Sequence, residues 1–436
     1  MISACNEKTA SQLKWCDGEL IVKLASSIVI ITTLLFIVIN LVTRSAHLNS
    51  YFIPDWQDSF MDFFNTMESV RMGDPYYADA NYPPLVFLLF KVLYHIVIPG
   101  NISNLSNPRG EAFEMRAYMP SMLMMILVYL ACSLIIALCI RKMMRGQRSG
   151  VVDVFVVSVF VSGPFIFLLE RGNVLLIAFS LVMLFFAFKD SDKRCQRVLG
   201  CVSLAAAASM KLYPAVFAIL LLKEKRYKAF CLTTVLGVAF FMLPFFFFEG
   251  ASSISSFFTG LLKSSSEQGA RGFGLNYSFF NLISLILAMV GVHVELSASL
   301  LSLVALFISF VIFLRAEAGW QRVFACSLAC VWVPSFSYTY TLVMFTPVFI
   351  AMITQGELDK RSLLIFLLLT VTQVMLPSAV VWFDSSGHLY SLHWVCLLGN
   401  LAILAATIIC LCASTSSLLR IDWEKRQGKG PTLQKR

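Results

Sequence analysis

Apolar runs of about 17 to 25 residues recur along this chain from Ile21 to Ala413, each long enough to cross roughly 30 Å of hydrocarbon as a helix. Lipid offers the backbone no hydrogen-bond partners, so a helix, which satisfies its own N–H and C=O groups, is the structure such runs can adopt. With 58% hydrophobic and 14% charged residues and a mean hydropathy of +0.79, the composition excludes a water-soluble globule of this size. The expectation is one all-α integral membrane domain over residues 1–436. The opening MISACNEKTASQLKWCDGEL is polar for too long to be a signal peptide, so the first run reads as a retained anchor.

The net charge of +9 does not point to nucleic acid, because the basic residues sit in short clusters between apolar runs, as orientation signals do. Arg141, Lys142, Arg145 and Arg148 form the strongest cluster and are assigned to the cytosol. Tyr118 to Ile140 then runs outside to inside, and Ile21 to Val42 inside to outside. Between them, Leu85 to Ile98 is short, carries Lys91 and His95 and follows Pro83-Pro84, so it reads as an interfacial helix. Phe279 to Val292 is read in the same way. Lys189 to Arg197, Lys223 to Lys228, Arg315, Arg322, Lys360, Arg361 and the basic tail 421–436 then all fall inside, giving roughly twelve spans with both termini cytosolic. None of the 12 cysteines falls in an outer segment, so disulfides are not expected, and Cys326 and Cys330 read as packing residues. The Asn-x-Ser matches at Asn101, Asn104 and Asn276 are weak signals.

Polar chemistry collects on the outer side. The first outer loop, residues 43–117, holds Asp55, Asp58, Asp62, Glu68, Asp74 and Asp79 among aromatics. Pro54 and Asp55 resemble a helix start, predicting a helix from there to Met72 that stops at Gly73, with Asp55, Asp58 and Asp62 on one face. Like charges sharing a face at an apolar boundary mean a binding or catalytic function, or else a hydrated surface helix. Further on, Glu170-Arg171-Gly172-Asn173 lies outside, and Lys211 sits at the outer end of a span that breaks at Pro214.

These pieces resemble glycosyltransferase family 87, of the GT-C superfamily: an acidic residue soon after the first span, then Gly73-Asp74-Pro75-Tyr76, then Tyr82-Pro83-Pro84-Leu85 opening an apolar helix. Arg171-Gly172-Asn173, Lys211-Leu212-Tyr213-Pro214 and Asn276-Tyr277-Ser278 are similar to later motifs of that family, in order, from about Asp55 to Pro347. Tyr340 stands where family members often carry a histidine. The resemblance implies a GT-C-like bundle and an inverting transfer of a sugar, such as mannose, from a polyprenyl-phosphate donor to a hydroxyl of a glycolipid or glycan. No cofactor or metal is implied, and the setting would be the outer face of a bacterial cell membrane.

The chemistry needs a carboxylate to take the acceptor proton, and Asp58 or Asp62 is the candidate, the other orienting the acceptor. A departing lipid phosphate needs positive charge, for which Arg171 and Lys211 are candidates, with Tyr213 as a hydroxyl donor. Tyr82, Asn173, Asn276 and Tyr340 are the remaining candidates for contact with substrate. The competing structural readings are an Arg171–Glu170 ion pair or snorkelling for the cations and a membrane-interface belt for the tyrosines. His388, His393 and Glu249 read as structural, Asp55, Asp58 and Asp62 as a less favoured cation site, and the loop from Glu249 to Leu275, with Lys263, Glu267 and Arg271, as an acceptor platform or lid. Two other functions compete: a lipid-linked saccharide flippase or transporter, which predicts mid-span charges and repeated halves absent from this sequence, and a polysaccharide polymerase or ligase.

Overall fold

The computed structural model describes residues 2–48, 51–52, 56–71, 73–78, 80–97, 111–268, 275–292, 296–356, 358–377, 380–385 and 388–426. Asp55, Asp79, Asn101, Asn104, Arg271 and the last ten residues of the basic tail lie outside them.

Helix α1, Ile2–Val42, contains the first membrane-spanning stretch, and the loop that follows it carries short helical pieces. The single helix expected over this loop is in fact two pieces: a 3-10 turn at Trp56–Asp58, then α2, Met61–Arg71. The break is Phe60, whose φ of +66° is incompatible with a continuous right-handed helix. Asp58 and Asp62 are therefore not two positions on one helix face. Gly73, at φ +102°, lies in the left-handed region two residues past the helix end. Helix α3, Pro84–Val97, has the length expected of an interfacial helix, and α4, Glu111–Ala117, leads into α5, Met119–Met143.

Helices α6, Ser149–Phe160, and α7, Gly163–Arg171, meet at 45°. The bend has a local cause: Ser162 caps α7 by accepting from Phe165 N–H at 3.4 Å, and Pro164 occupies its first turn. Helix α8, Leu175–Phe188, is apolar all round and largely buried, packed between α5 and α9, Arg194–Met210. Proline interrupts the next apolar runs. Pro214 opens the 3-10 stretch Tyr213–Ala218, which passes into α10, Ile219–Lys223, and Pro244 sits in the 3-10 continuation of α11, Tyr227–Met242.

The second half begins with α12, Ala251–Gln268, and α13, Phe279–Met289, again short as expected. It continues with α14, Ala298–Arg315, α15, Gly319–Trp332, a 3-10 stretch Thr339–Phe345, α16, Thr346–Thr354, and α17, Lys360–Val371. An antiparallel hairpin, β1 Val380–Ser385 with β2 His388–His393, precedes α18, Trp394–Arg426. That hairpin is the one departure from helix among the described elements, and the chain is otherwise helical, as expected.

Among the described residues, five helical segments are long and apolar enough to cross a membrane, within α1, α5, α11 with its 3-10 extension, α14 and α18, or six if the bent pair α6 and α7 is one span. The expected tally of roughly twelve counted apolar runs, and several of the others are short or broken helices, some interrupted by proline, as at Pro164, Pro214 and Pro347. The chain is an integral membrane protein. Its lipid-facing surface is the outward row of large apolar side chains on α1, α5, α11 and α14, such as Leu41, Leu127, Val235 and Phe307.

Candidate active site

Two backbone segments distant in sequence lock together and set the site. Gly172 closes α7 in the left-handed conformation, φ +71°, with its N–H on Leu169 O and the Asn173 N–H on Leu168 O. A Cβ added at Gly172 would lie 2.6 Å from Phe60 O, so this glycine is required by conformation and by space. Phe60 in turn donates its N–H to Glu170 O at 2.7 Å. The contact that breaks the outer-loop helix is thus the one that brings the aspartates to the end of α7.

Arg171 joins them. Its Nη1 donates to Asp58 Oδ2 at 2.5 Å and its Nη2 to Asp62 Oδ1 at 2.7 Å, with the arginine only 7% exposed. The alternative Arg171–Glu170 pair does not form. Glu170 instead accepts from Ser59 Oγ at 2.7 Å. Asn173 completes the set: its Nδ2 donates to Asp62 Oδ2 at 2.6 Å, while its Oδ1 accepts from Leu175 N–H at 2.9 Å to start α8. Both oxygens of Asp62 are therefore occupied. Asp58 Oδ1 receives no hydrogen bond from any described residue, and the Asp58 side chain is 35% exposed against 19% for Asp62.

Lys211, just past the end of α9, holds its Nζ 4.4 Å from the centroid of the Tyr82 ring. No described carboxylate pairs with it. Burial pushes its ammonium group down to about 8, opposed in part by the negative charge of Asp62. Tyr82, in the approach to α3, has its phenol held neutral to well above the usual range by burial and by the same carboxylate. Its oxygen lies 3.1 Å from Asn173 Nδ2.

Residues 81–347, more than half of the chain, match the family described as glycosyltransferase family 87. The chain belongs to that family. No curated protein and no solved structure matches it. The match covers Tyr82, Arg171, Asn173, Lys211, Tyr213, Asn276 and Tyr340, whereas Asp58 and Asp62 precede it. The family 87 chain is thus a membrane glycosyltransferase, and its matched segment supplies every described cation and amide that meets the two aspartates.

Of the remaining sequence candidates in this glycosyltransferase, Tyr340 joins the cluster. It stacks on Phe167 with ring centroids 5.9 Å apart, and its hydroxyl lies 3.4 Å from Asn173 Nδ2. Asn173 has two amide hydrogens for three oxygens, and the phenols of Tyr82 and Tyr340 keep protons of their own to donate. Tyr213 lies behind Tyr82 and hydrogen-bonds Thr341. Asn276 stands apart as a structural knot: its Oδ1 accepts from Ser278 N–H and Ser337 N–H, both at 3.0 Å, and its carbonyl from Asn281 Nδ2 and Asn400 Nδ2. Its backbone bridges to Tyr338, which packs on Tyr340. Cys326 and Cys330 are buried, with thiols on the carbonyls of Val216 and Tyr213 in the broken helix. Beyond the site, Glu249 accepts from the Tyr77 hydroxyl, and Ser253 donates to Asp74, so α12 is clasped to the outer loop.

Sequence reading missed Arg116. From the end of α4 its Nη1 donates to the carbonyls of Gln57 and Ser59, at 2.5 and 2.9 Å, and so braces the turn that carries Asp58. Its only signal was a lone arginine before the second full-length span. Among the described residues no three His, Cys, Asp or Glu side chains converge as metal ligands.

Proposed function

We propose that this family 87 enzyme moves a sugar, a hexose such as mannose, from a polyprenyl-phosphate donor to a hydroxyl of a glycolipid or glycan on the extracytoplasmic face, with inversion. One observation carries the reading: Arg171 holds Asp58 and Asp62 together, and of the two only Asp58 keeps an oxygen that no described group occupies. Asp58 is then the general base and Asp62 the anchor that orients Arg171 and Asn173. The acceptor oxygen attacks the anomeric carbon as its proton passes to Asp58. The bond from that carbon to the phosphate oxygen breaks, and the electron pair leaves with the lipid phosphate.

The leaving group gains negative charge, and Lys211, unpaired with any described carboxylate, is the cation available to meet it. Arg171 keeps the carboxylates in place and adds positive charge behind them. Tyr82 and Tyr340 donate to sugar or phosphate oxygens, and Tyr213 supports Tyr82 from behind. A bacterial cell membrane with both termini cytosolic is the setting that the basic clusters favour.

The test is to incubate the purified protein with a panel of radiolabelled polyprenyl-phosphate sugars and membrane lipid extract. Transfer is expected with the wild type and is lost in Asp58→Asn. Full transfer in both Asp58→Asn and Asp62→Asn, or movement of lipid-linked sugar across the bilayer without transfer, would overturn the reading.

A further inference from the structure

Helix α8 links two polar regions. Asn173, directly before it, belongs to the aspartate cluster, and Lys189, directly after it, lines a recess of about 530 Å³ at the opposite end of the bundle. The helix is 14 residues long, so the two regions are separated by roughly 20 Å. The recess lies at the end that the basic clusters assign to the cytosol. It is walled by the ends of α5, α8, α10 and α16 and the start of α15, and its lining includes the apolar side chains of Phe186, Leu220 and Ile350.

The charges around this recess do not balance locally. Lys189 pairs with Glu224 at 2.6 Å and Asp190 at 2.7 Å, and Arg226 pairs with Asp190 at 2.8 Å, which closes one group of two cations and two anions. Lys142, Arg145, Lys223 and Arg322 also line the recess, and among the described residues none is in an ion pair. Asp192 is the one further carboxylate in the lining. Lys142 reaches only Gln196 Oε1, at 3.4 Å, and the face of Phe188. Arg322 donates one Nη to Ala316 O, while its Nε is buried with no hydrogen-bond partner. Orientation charges need only lie outside the membrane and gain nothing by converging on one recess. A buried, unserved guanidinium N–H is a cost that a bound anion would remove.

We propose that this recess binds a phosphate-bearing anion, the headgroup of an anionic lipid of the adjoining leaflet. Basic pockets between helices at the cytosolic boundary suit such headgroups: the cations meet the phosphate, and the apolar side chains in the lining meet the glycerol and upper chain. The site is independent of the transfer chemistry at the other end of α8.

The experiment uses the full chain in phosphatidylcholine nanodiscs doped with phosphatidylglycerol, with retained lipid counted by native mass spectrometry. Wild type is expected to retain phosphatidylglycerol in preference to phosphatidylcholine. The double variant Arg145→Gln/Lys223→Gln, at two exposed positions, is expected to weaken that retention roughly thirtyfold. A control, Arg315→Gln/Lys360→Gln, removes two cations outside the recess and is expected to leave retention unchanged. Equal loss in both double variants, or no preference in the wild type, overturns the proposal. Glycerol 3-phosphate, titrated into the same discs, distinguishes the source. Displacement of phosphatidylglycerol by this ester at millimolar concentration would keep the phosphate site and overturn the lipid assignment, and failure to displace supports the lipid headgroup.

Discussion

Arg171 Nη2 bonds Asp62 Oδ1 at 2.7 Å across 109 residues of sequence, and its other Nη holds Asp58. The two carboxylates thereby have different hydrogen-bonding environments: both oxygens of Asp62 are occupied by described groups and one of Asp58 is not.

Replacing Asp58 with Asn removes the proposed proton acceptor but keeps shape and an oxygen for Arg171. Transfer should fall by about 10²- to 10⁴-fold in kcat with the apparent unfolding temperature nearly unchanged. Asp62→Asn should lower both, because it disturbs Arg171 and Asn173 together. Paired kinetics and thermal unfolding of the two variants check this, and the reverse pattern would exchange the two assignments.

Arg171→Ala leaves two neighbouring carboxylates without their cation. A broken buried pair costs about 3–5 kcal/mol, and the lower end applies because Asp58 is 35% exposed. Arg171→Lys restores charge but not the two-pronged contact, so it should recover part of the stability and little activity. Denaturation of the detergent-solubilised protein measures the first effect and transfer assays the second.

Gly172→Ala faces a backbone at φ +71° and a carbonyl 2.6 Å from the new Cβ. The left-handed conformation alone costs about 1–2 kcal/mol, and the clash adds to it. Gly172→Asn separates the causes, since asparagine tolerates the conformation but still carries a Cβ. Full stability in Gly172→Asn would mean that the contact with Phe60 is unimportant.

Lys211 imposes a pH dependence whose sign follows from burial. Its folded-state value is lowered from 10.5 to about 8, so the cation is present below about 8 and is lost as pH rises through that value. Activity that needs it should decline on the alkaline side of about 8, and in Lys211→Gln that limb should vanish along with most of the activity. Stability moves the other way. Between about 8 and 10.5 the unfolded chain binds more protons than the folded one, so the cost of burying this charge is relieved as pH rises across that window. pH–rate profiles and pH-dependent unfolding of both proteins read the two effects.

Sidedness is tested at Tyr77, which is 70% exposed in the 3-10 turn Pro75–Ala78 of the same loop as Asp58. In a cysteine-free background, Tyr77→Cys should react with an impermeant thiol reagent in intact cells, and a cysteine restored at Cys195 only after permeabilisation. The opposite pattern would place the aspartates in the cytosol.

The sequence was sufficient for the membrane class, the short helices at Leu85 and Phe279, and the motifs that carry Asp58, Asp62, Arg171 and Asn173, which the structure brings together. Each of these is a local property: apolar length, charge between runs, or a motif whose glycine and polar neighbours lie side by side in the chain. Tertiary structure decided the rest. Phe60 leaves the helical region because its N–H finds Glu170 O, more than a hundred residues away, and no local pattern encodes that partner. The same holds for Arg116 bracing the Asp58 turn, for Asn276 serving the backbone rather than the cluster, and for Asp58 keeping the free oxygen. Periodicity determines which residues can face a common site. Which of them share a hydrogen bond depends on how distant segments pack, because each oxygen or N–H is claimed by whichever partner the fold brings within about 3 Å.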